Sequence, residues 1–228
     1  MILAAACTSL DTSGVFAISI TVPDSGKVEE GDTIRPTAAA LDGAGDTITA
    51  LVRWATLDTA NLLVVDGATG VTVGKNPPSG RLVARADNLI SSPVTILVSP
   101  QADTILAVSS DSDSVSVGTP DSLSDTIKVA LEDTSTSPGS AIPLAGRPVV
   151  FSITSSGGGS VTLVTDDTSH AVVTTDTVKT DGAGVAPVRV RLLSGTLPDT
   201  VVVTASAQHA VGTTVAGSPL TFVVEFNP

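Results

Sequence analysis

The chain has 228 residues, and its 11 Lys and Arg stand against 23 Asp and Glu, which gives a formal net charge of −12. Aromatic residues make up 2% of the sequence, and there is one Cys. This balance excludes nucleic-acid binding through phosphates, and a single Cys excludes a disulfide framework, a thiolate zinc site and an iron–sulfur cluster.

The first 13 residues form a short leader and tether before the patterned part of the chain. Met1–Ala6 is apolar, Cys7 follows, and the sequence then becomes polar. This run resembles the end of a bacterial lipoprotein signal peptide, although Ala4 stands where that family usually has Leu and no basic stretch precedes it. The resemblance implies a lipid anchor on Cys7, whose acyl chains would hold the protein at a membrane. The alternative is a short apolar tip with an incidental thiol.

From Val15 onward, apolar residues recur at every second position, which predicts half-buried β-strands. Turns rich in Gly, Pro, Asp and Asn separate these stripes. In the first half of the chain the stripes are Phe16–Val22, Val52–Trp54, Leu82–Ala86 and Val94–Val98.

The second half continues the pattern with longer stripes. Arg189 and Arg191 alternate with aliphatic residues, and burying two guanidinium groups would be costly, so the aliphatic side must face inward. The stripes here are Leu123–Leu131, Val149–Ile153, Ala186–Leu192, Val201–Ala207 and Phe222–Phe226.

Short strands with turns about every ten residues, and no capped helical pattern, predict an all-β chain with almost no helix. We expect two tandem antiparallel immunoglobulin-like β-sandwiches, one over residues 14–101 and one over residues 102–228. The Pro-containing junction Ser99–Asp103 separates them.

Particular motifs carry a family resemblance. Gly31-Asp32-Thr33, Val52-Arg53-Trp54 and the hairpin sequence Val64–Val71 resemble the group-2 bacterial immunoglobulin-like domain. Residues 104–228 are similar to group-1, invasin/intimin-type modules, through Pro148–Ile153 and Thr180–Ala186. The resemblance implies that Trp54 is a core residue and that the protein works outside the cytoplasm of a bacterium, in the periplasm or at the cell surface.

Candidate reactive groups are sparse in this sequence. His170 and His209 are the two histidines, and neither has a sequence cue for a partner base, so we expect no enzyme and no small-molecule substrate. Asp111 and Asp113, with neighbouring aspartates, are weak candidates for a structural calcium ion, although Asp-rich turns explain them without metal. We expect no other cofactor.

These observations favour a non-enzymatic structural or interaction protein, tethered to a membrane at its N-terminus by lipid or by the apolar tip. The leading hypothesis is an accessory or scaffold subunit that docks on a larger integral-membrane complex, with photosynthetic and respiratory complexes as candidate hosts. The alternative is a cell-surface adhesin or filament subunit that contacts other surface proteins. The sequence leaves open whether the domains bind a partner or act as a spacer.

Overall fold

A computed structural model describes residues 14–117, 122–134, 141–165, 172–193 and 196–228. The chain divides into two compact units, Met1–Pro100 and Gln101–Pro228. Within the described residues, the helical content is a single 3-10 turn at Asp24–Gly26, and the remaining elements are strands. The prediction of an all-β, immunoglobulin-like architecture with almost no helix is confirmed.

Unit 1 contains short strands joined by tight turns. Its strands are β1 (Ala17–Thr21), β2 (Lys27–Glu29), β3 (Thr33–Ile34), β4 (Thr37–Leu41), β5 (Thr47–Ile48), β6 (Val52–Thr56), β7 (Leu62–Asp66), β8 (Val71–Gly74), β9 (Ser79–Ala86), β10 (Leu89–Ile90) and β11 (Val94–Ser99).

These strands form two layers. One layer contains the sheets β1-β4-β5 and β3-β8-β7, and the other contains β10-β9-β11-β2 with β6 paired to β9. All pairs are antiparallel except β2 with β11. The core between the layers contains Trp54, Leu62, Leu82 and Ile96. The alternating pattern therefore buries one side of each strand.

Two positions of unit 1 differ from the predicted stripes. Phe16 is 74% exposed because β1 begins one residue later, at Ala17, and Phe16 lies outside the core. Val83 faces the outer side of β9 and is nevertheless buried. The strand is paired on both sides, so its neighbours cover a small side chain there.

Unit 2 has longer strands. They are β12 (Thr104–Ala107), β13 (Ser112–Ser116), β14 (Ile127–Asp133), β15 (Ile142–Pro143), β16 (Pro148–Ser155), β17 (Val161–Val164), β18 (Thr175–Lys179), β19 (Val185–Leu192), β20 (Val201–Ser206) and β21 (Leu220–Asn227).

The unit is again a two-layer sandwich. Sheet β12-β14-β19-β17, with β15 on β14, faces sheet β13-β21-β20-β16-β18. Phe151 and Phe222 are fully buried between them, as are the inward aliphatic residues of β14, β19 and β20. The stripe predicted to begin at Leu123 is shorter, because Leu123 makes an isolated bridge to Arg191 and β14 begins at Ile127.

Candidate interaction surfaces

Trp54, the predicted core residue, lies on the inner side of β6 and is 7% exposed. Val52, on the same side, packs partly buried against the core cluster that contains Trp54. The backbone of Gly70 approaches the indole so closely that a Cβ there would lie 2.6 Å from Nε1. The indole is thus a packing element of the sandwich.

Of the calcium candidates, Asp111 directly precedes β13 and Asp113 is its second residue. The carboxylate of Asp113 accepts hydrogen bonds from the backbone N–H groups of Ser114, at 2.8 Å, and Asp125, at 2.7 Å. Across the described residues, no group of three or more His, Cys, Asp or Glu side chains converges as a metal ion would require. The Asp113 carboxylate therefore serves as a hydrogen-bond acceptor for nearby backbone N–H groups.

Two predicted residues fall outside the described ranges. They are the lipid-anchor candidate Cys7 and the histidine His170. The predictions attached to them stay predictions. No helix formed by the described residues is long and apolar enough to span a membrane.

His209 lines a recess of about 560 Å³ in unit 2, together with Arg147, Ser206 and Gln208. Its backbone is tied into a turn, where its N–H donates to Thr213 at 2.8 Å. The described residues that line this recess include no carboxylate.

A cluster of cations lies on the outer side of the unit 1 sheet formed by β6, β9, β11 and β2. Arg53 of β6 lies directly opposite Arg85 of β9, and Arg81 follows on the same side of β9. Lys27 of β2 belongs to the same side, opposite Leu97 of β11. We call these four residues the basic face. Like charges placed directly opposite each other destabilise an antiparallel pair, so the register concentrates unfavourable positive charge.

One cation of the basic face is neutralised locally. The guanidinium of Arg81 makes a two-pronged contact with Asp58, with Nε–Oδ2 at 2.9 Å and Nη2–Oδ1 at 3.0 Å. These hydrogen bonds, with a further one from the Arg81 backbone, lower the pKa of Asp58 to about 2. Within the described residues, no carboxylate forms an ion pair with Arg53 or Arg85.

Exposed aliphatic side chains alternate with these cations. Ile90, which is 50% exposed, pairs with Arg85 across the β9–β10 hairpin. The exposed Leu97 lies opposite Lys27, and the exposed Leu57 donates its N–H to the Arg81 carbonyl at 2.9 Å. Arginine combined with apolar area is typical of protein interfaces, because the guanidinium binds carboxylates while its stem covers apolar surface.

A second apolar surface is the edge strand β7. Leu63 and Val65 are 51% and 60% exposed. The strand pairs with β8 on one side, and no other strand in the described part of the chain pairs with it. Edge strands are usually protected by charged residues, as β18 is by Asp176 within it and Lys179 at its end, whereas the one charged residue of β7 is Asp66 at its end.

An acidic surface surrounds the edge strand β13 of unit 2. Asp111 and Glu225 are exposed there, with Asp113 and Asp125 beside them. Glu225 of β21 pairs with Ser114 of β13, and Asp125 is hydrogen bonded to Asp113. We call these four residues the acidic edge. None of them forms an ion pair within the described ranges.

These surfaces depend on strand register, which the alternating sequence pattern does not specify. The alternation of Arg189 and Arg191 with aliphatic residues predicts that these arginines point outward. The pairing of Arg53 with Arg85 depends on which strands are neighbours and on how they are aligned, and neither is encoded in a local period.

Comparisons with known proteins give structural likenesses. No family model matches the chain, and no curated protein matches it significantly. Domains 4 and 5 of the S-layer protein SbsC match with a TM-score of 0.36 and 16% identity, over 94% of this chain and 99% of that one. The Yersinia pseudotuberculosis adhesin InvE matches with a TM-score of 0.41 and 19% identity, over 92% of this chain and 59% of that one.

A third likeness is to the fibronectin(III)-like modules of Clostridium thermocellum CbhA. Its TM-score is 0.38 at 13% identity, with 92% of this chain and 94% of that one covered. These TM-scores are low, so the fold assignment rests on the strand register and sheet order given above.

Proposed function

We propose that this protein is a non-enzymatic structural and interaction protein that works outside the cytoplasm. It is tethered to a membrane through lipid on Cys7 and docks on a larger integral-membrane complex. The observation that carries the docking proposal is the edge strand β7, with its outward Leu63 and Val65.

A strand with an apolar, unprotected edge can accept an extended segment of a partner. The main-chain groups on the outer side of β7 would form the ladder, and Leu63 and Val65 would supply alternate side-chain contacts. The β7–β8 ladder has a bulge between Val64 and Asp66, which places Val65 at the end of the regular part of the strand. The partner is therefore expected to contribute a short β-strand with apolar side chains.

The test is recovery of the partner from detergent-solubilised membranes of the source cells. We expect the wild-type chain to retain a stoichiometric integral-membrane complex and the variant L63K/V65K to lose it. The variant V211K changes an exposed aliphatic residue of unit 2 and serves as the matched control. Equal recovery by wild type and L63K/V65K would contradict docking through β7.

The tether has its own test. Mass spectrometry of the cell-extracted protein is expected to find an acylated Cys7, and Cys7→Ser is expected to release the chain from the membrane fraction. An unmodified Cys7 in a membrane-bound protein would overturn the lipid anchor and favour the apolar tip.

A filament or adhesin subunit is the second candidate function, and one observation favours it. Unit 1 carries a basic face and unit 2 an acidic edge, so one chain displays two surfaces of opposite charge. Copies that display complementary surfaces can associate with one another. Self-association of the purified chain is the property that separates this candidate from the first.

A further inference from the structure

We infer that the basic face of one copy binds the acidic edge of a second copy, so that chains associate head to tail. The inference names the contact through which the second candidate function would operate, and it rests on that candidate.

The basic face is incomplete by itself. Arg53 and Arg85 are cross-strand partners, and no described carboxylate forms a salt bridge with either; Asp66 lies near enough to Arg53 for that charge to lower its pKa. A carboxylate placed between them would replace repulsion with charge-assisted hydrogen bonds, which are stronger than neutral ones. The chemistry of the face therefore selects a partner that presents carboxylates.

The aliphatic neighbours decide what kind of anion fits. Ile90 and Leu57 are exposed beside the guanidinium groups, so a partner must cover apolar area as well as supply negative charge. A protein surface satisfies both needs, whereas a small inorganic anion supplies only the negative charge.

The acidic edge supplies that surface in a second copy. Residues 1–100 contain six Lys and Arg and ten Asp and Glu, whereas residues 101–228 contain five and 13. Negative charge is thus concentrated in unit 2. Asp111 directly precedes β13, and Glu225 of β21 pairs with Ser114, whose short side chain allows a partner sheet to approach closely.

The geometry of such a contact is heterologous. Two different surfaces meet, so a dimer keeps one unused basic face and one unused acidic edge. Contacts of this kind continue into open chains unless the rotation closes a ring.

Charge reversal on each surface separately tests the contact. In R53E/R85E two cations of the basic face become acidic and the acidic edge is intact. In D111K/E225K two acids of the acidic edge become basic and the basic face is intact. We expect the wild type to form concentration-dependent oligomers in sedimentation velocity and each variant alone to be monomeric. An equimolar mixture of the two variants should associate again, because each variant then meets surfaces of opposite charge on the other.

Two controls distinguish the loss of this particular contact from a general effect of net charge and from unfolding. The variant K128E/R189E changes the net charge by the same amount as R53E/R85E, but on an exposed sheet side of unit 2. It should still associate. Emission from Trp54 reports whether unit 1 of each variant is folded. If R53E/R85E does not fold, R53Q/R85Q replaces it, because Gln removes the charge without introducing paired carboxylates.

Several outcomes overturn the inference. If the wild type is monomeric at every concentration, both the proposed contact and the second candidate function are contradicted. If R53E/R85E still associates, or if the mixture does not associate, the proposed contact is contradicted, whereas the filament function is not. Binding of monomeric wild type to phosphatidylglycerol vesicles, lost in R53E/R85E, would assign the basic face to a membrane instead.

Discussion

Gly70 lies against the indole of Trp54, where a Cβ would come within 2.6 Å of Nε1 and 2.7 Å of Cε2. Its φ of +78° belongs to the left-handed region, which glycine adopts at little cost. The turn between β7 and β8 can therefore close onto the core only without a side chain.

We expect Gly70→Ala to destabilise unit 1 by about 2–4 kcal/mol, because it adds left-handed strain to overpacking against the indole. Urea unfolding followed by circular dichroism measures the change. Gly67→Ala is the matched control, since its nearest contact is at 3.4 Å and no positive φ is involved. Equal stability of the two variants would contradict the proposed packing of the turn.

Trp54 is the largest side chain in the core of unit 1. Trp54→Ala is expected to cost about 3–5 kcal/mol through lost burial and the remaining cavity. Phe16→Ala removes an aromatic ring that is 74% exposed and should change stability by less than about 0.5 kcal/mol. Thermal unfolding of both variants checks the contrast, and a near-neutral Trp54→Ala would be inconsistent with this core.

The ion pair of Asp58 with Arg81 is expected to make unit 1 sensitive to acid. Hydrogen bonds from Arg81 lower the pKa of Asp58 from 3.8 to about 2 in the folded chain. Because the folded-state pKa lies below the ordinary value, this stabilisation is complete above about pH 4 and is lost as the pH falls through about 2.

Asp58→Asn tests this dependence by removing the titrating carboxyl group. The stability difference between wild type and Asp58→Asn should shrink as the pH is lowered from about 5 to about 2, measured by urea unfolding at each pH. Asp87→Asn alters an exposed turn aspartate and is the control. A difference that stayed constant across this range would argue against the ion pair as its source.

Thr180 joins two backbone segments in unit 2. Its buried hydroxyl donates to the Leu144 carbonyl and accepts from the Arg147 N–H at 2.9 Å. Thr180→Val keeps the shape but leaves these buried groups without that partner, so we expect a loss of about 1–3 kcal/mol. Thr177→Val, at an exposed position of β18, should be close to neutral in the same denaturation experiment.

The inward residues of the long strands were predictable from the sequence. In β14, Ile127, Val129 and Leu131 are buried as the period of two indicates, and Lys128 faces outward. The end of a strand was less predictable, as Phe16 illustrates, because a local pattern does not specify where pairing begins.

The interaction surfaces required knowledge that a single sequence lacks. Arg53 and Arg85 come from strands separated by two others along the chain, and their adjacency follows from the sheet order. Likewise, β7 is recognisable as an edge only when its one partner is known. The two-residue period of apolar side chains indicates which side of a strand is buried, but it does not indicate which strands lie beside it in the sheet.

The parallel pairs β2–β11 and β13–β21 join an early strand of each unit to its last one. When such a unit is pulled at its two ends along the strand direction, the hydrogen bonds of the pair are loaded in shear and must break together. A hairpin peeled from its open end breaks them one after another. Each sandwich therefore contains one strand pair whose hydrogen bonds would resist separation along the strand direction together rather than one at a time.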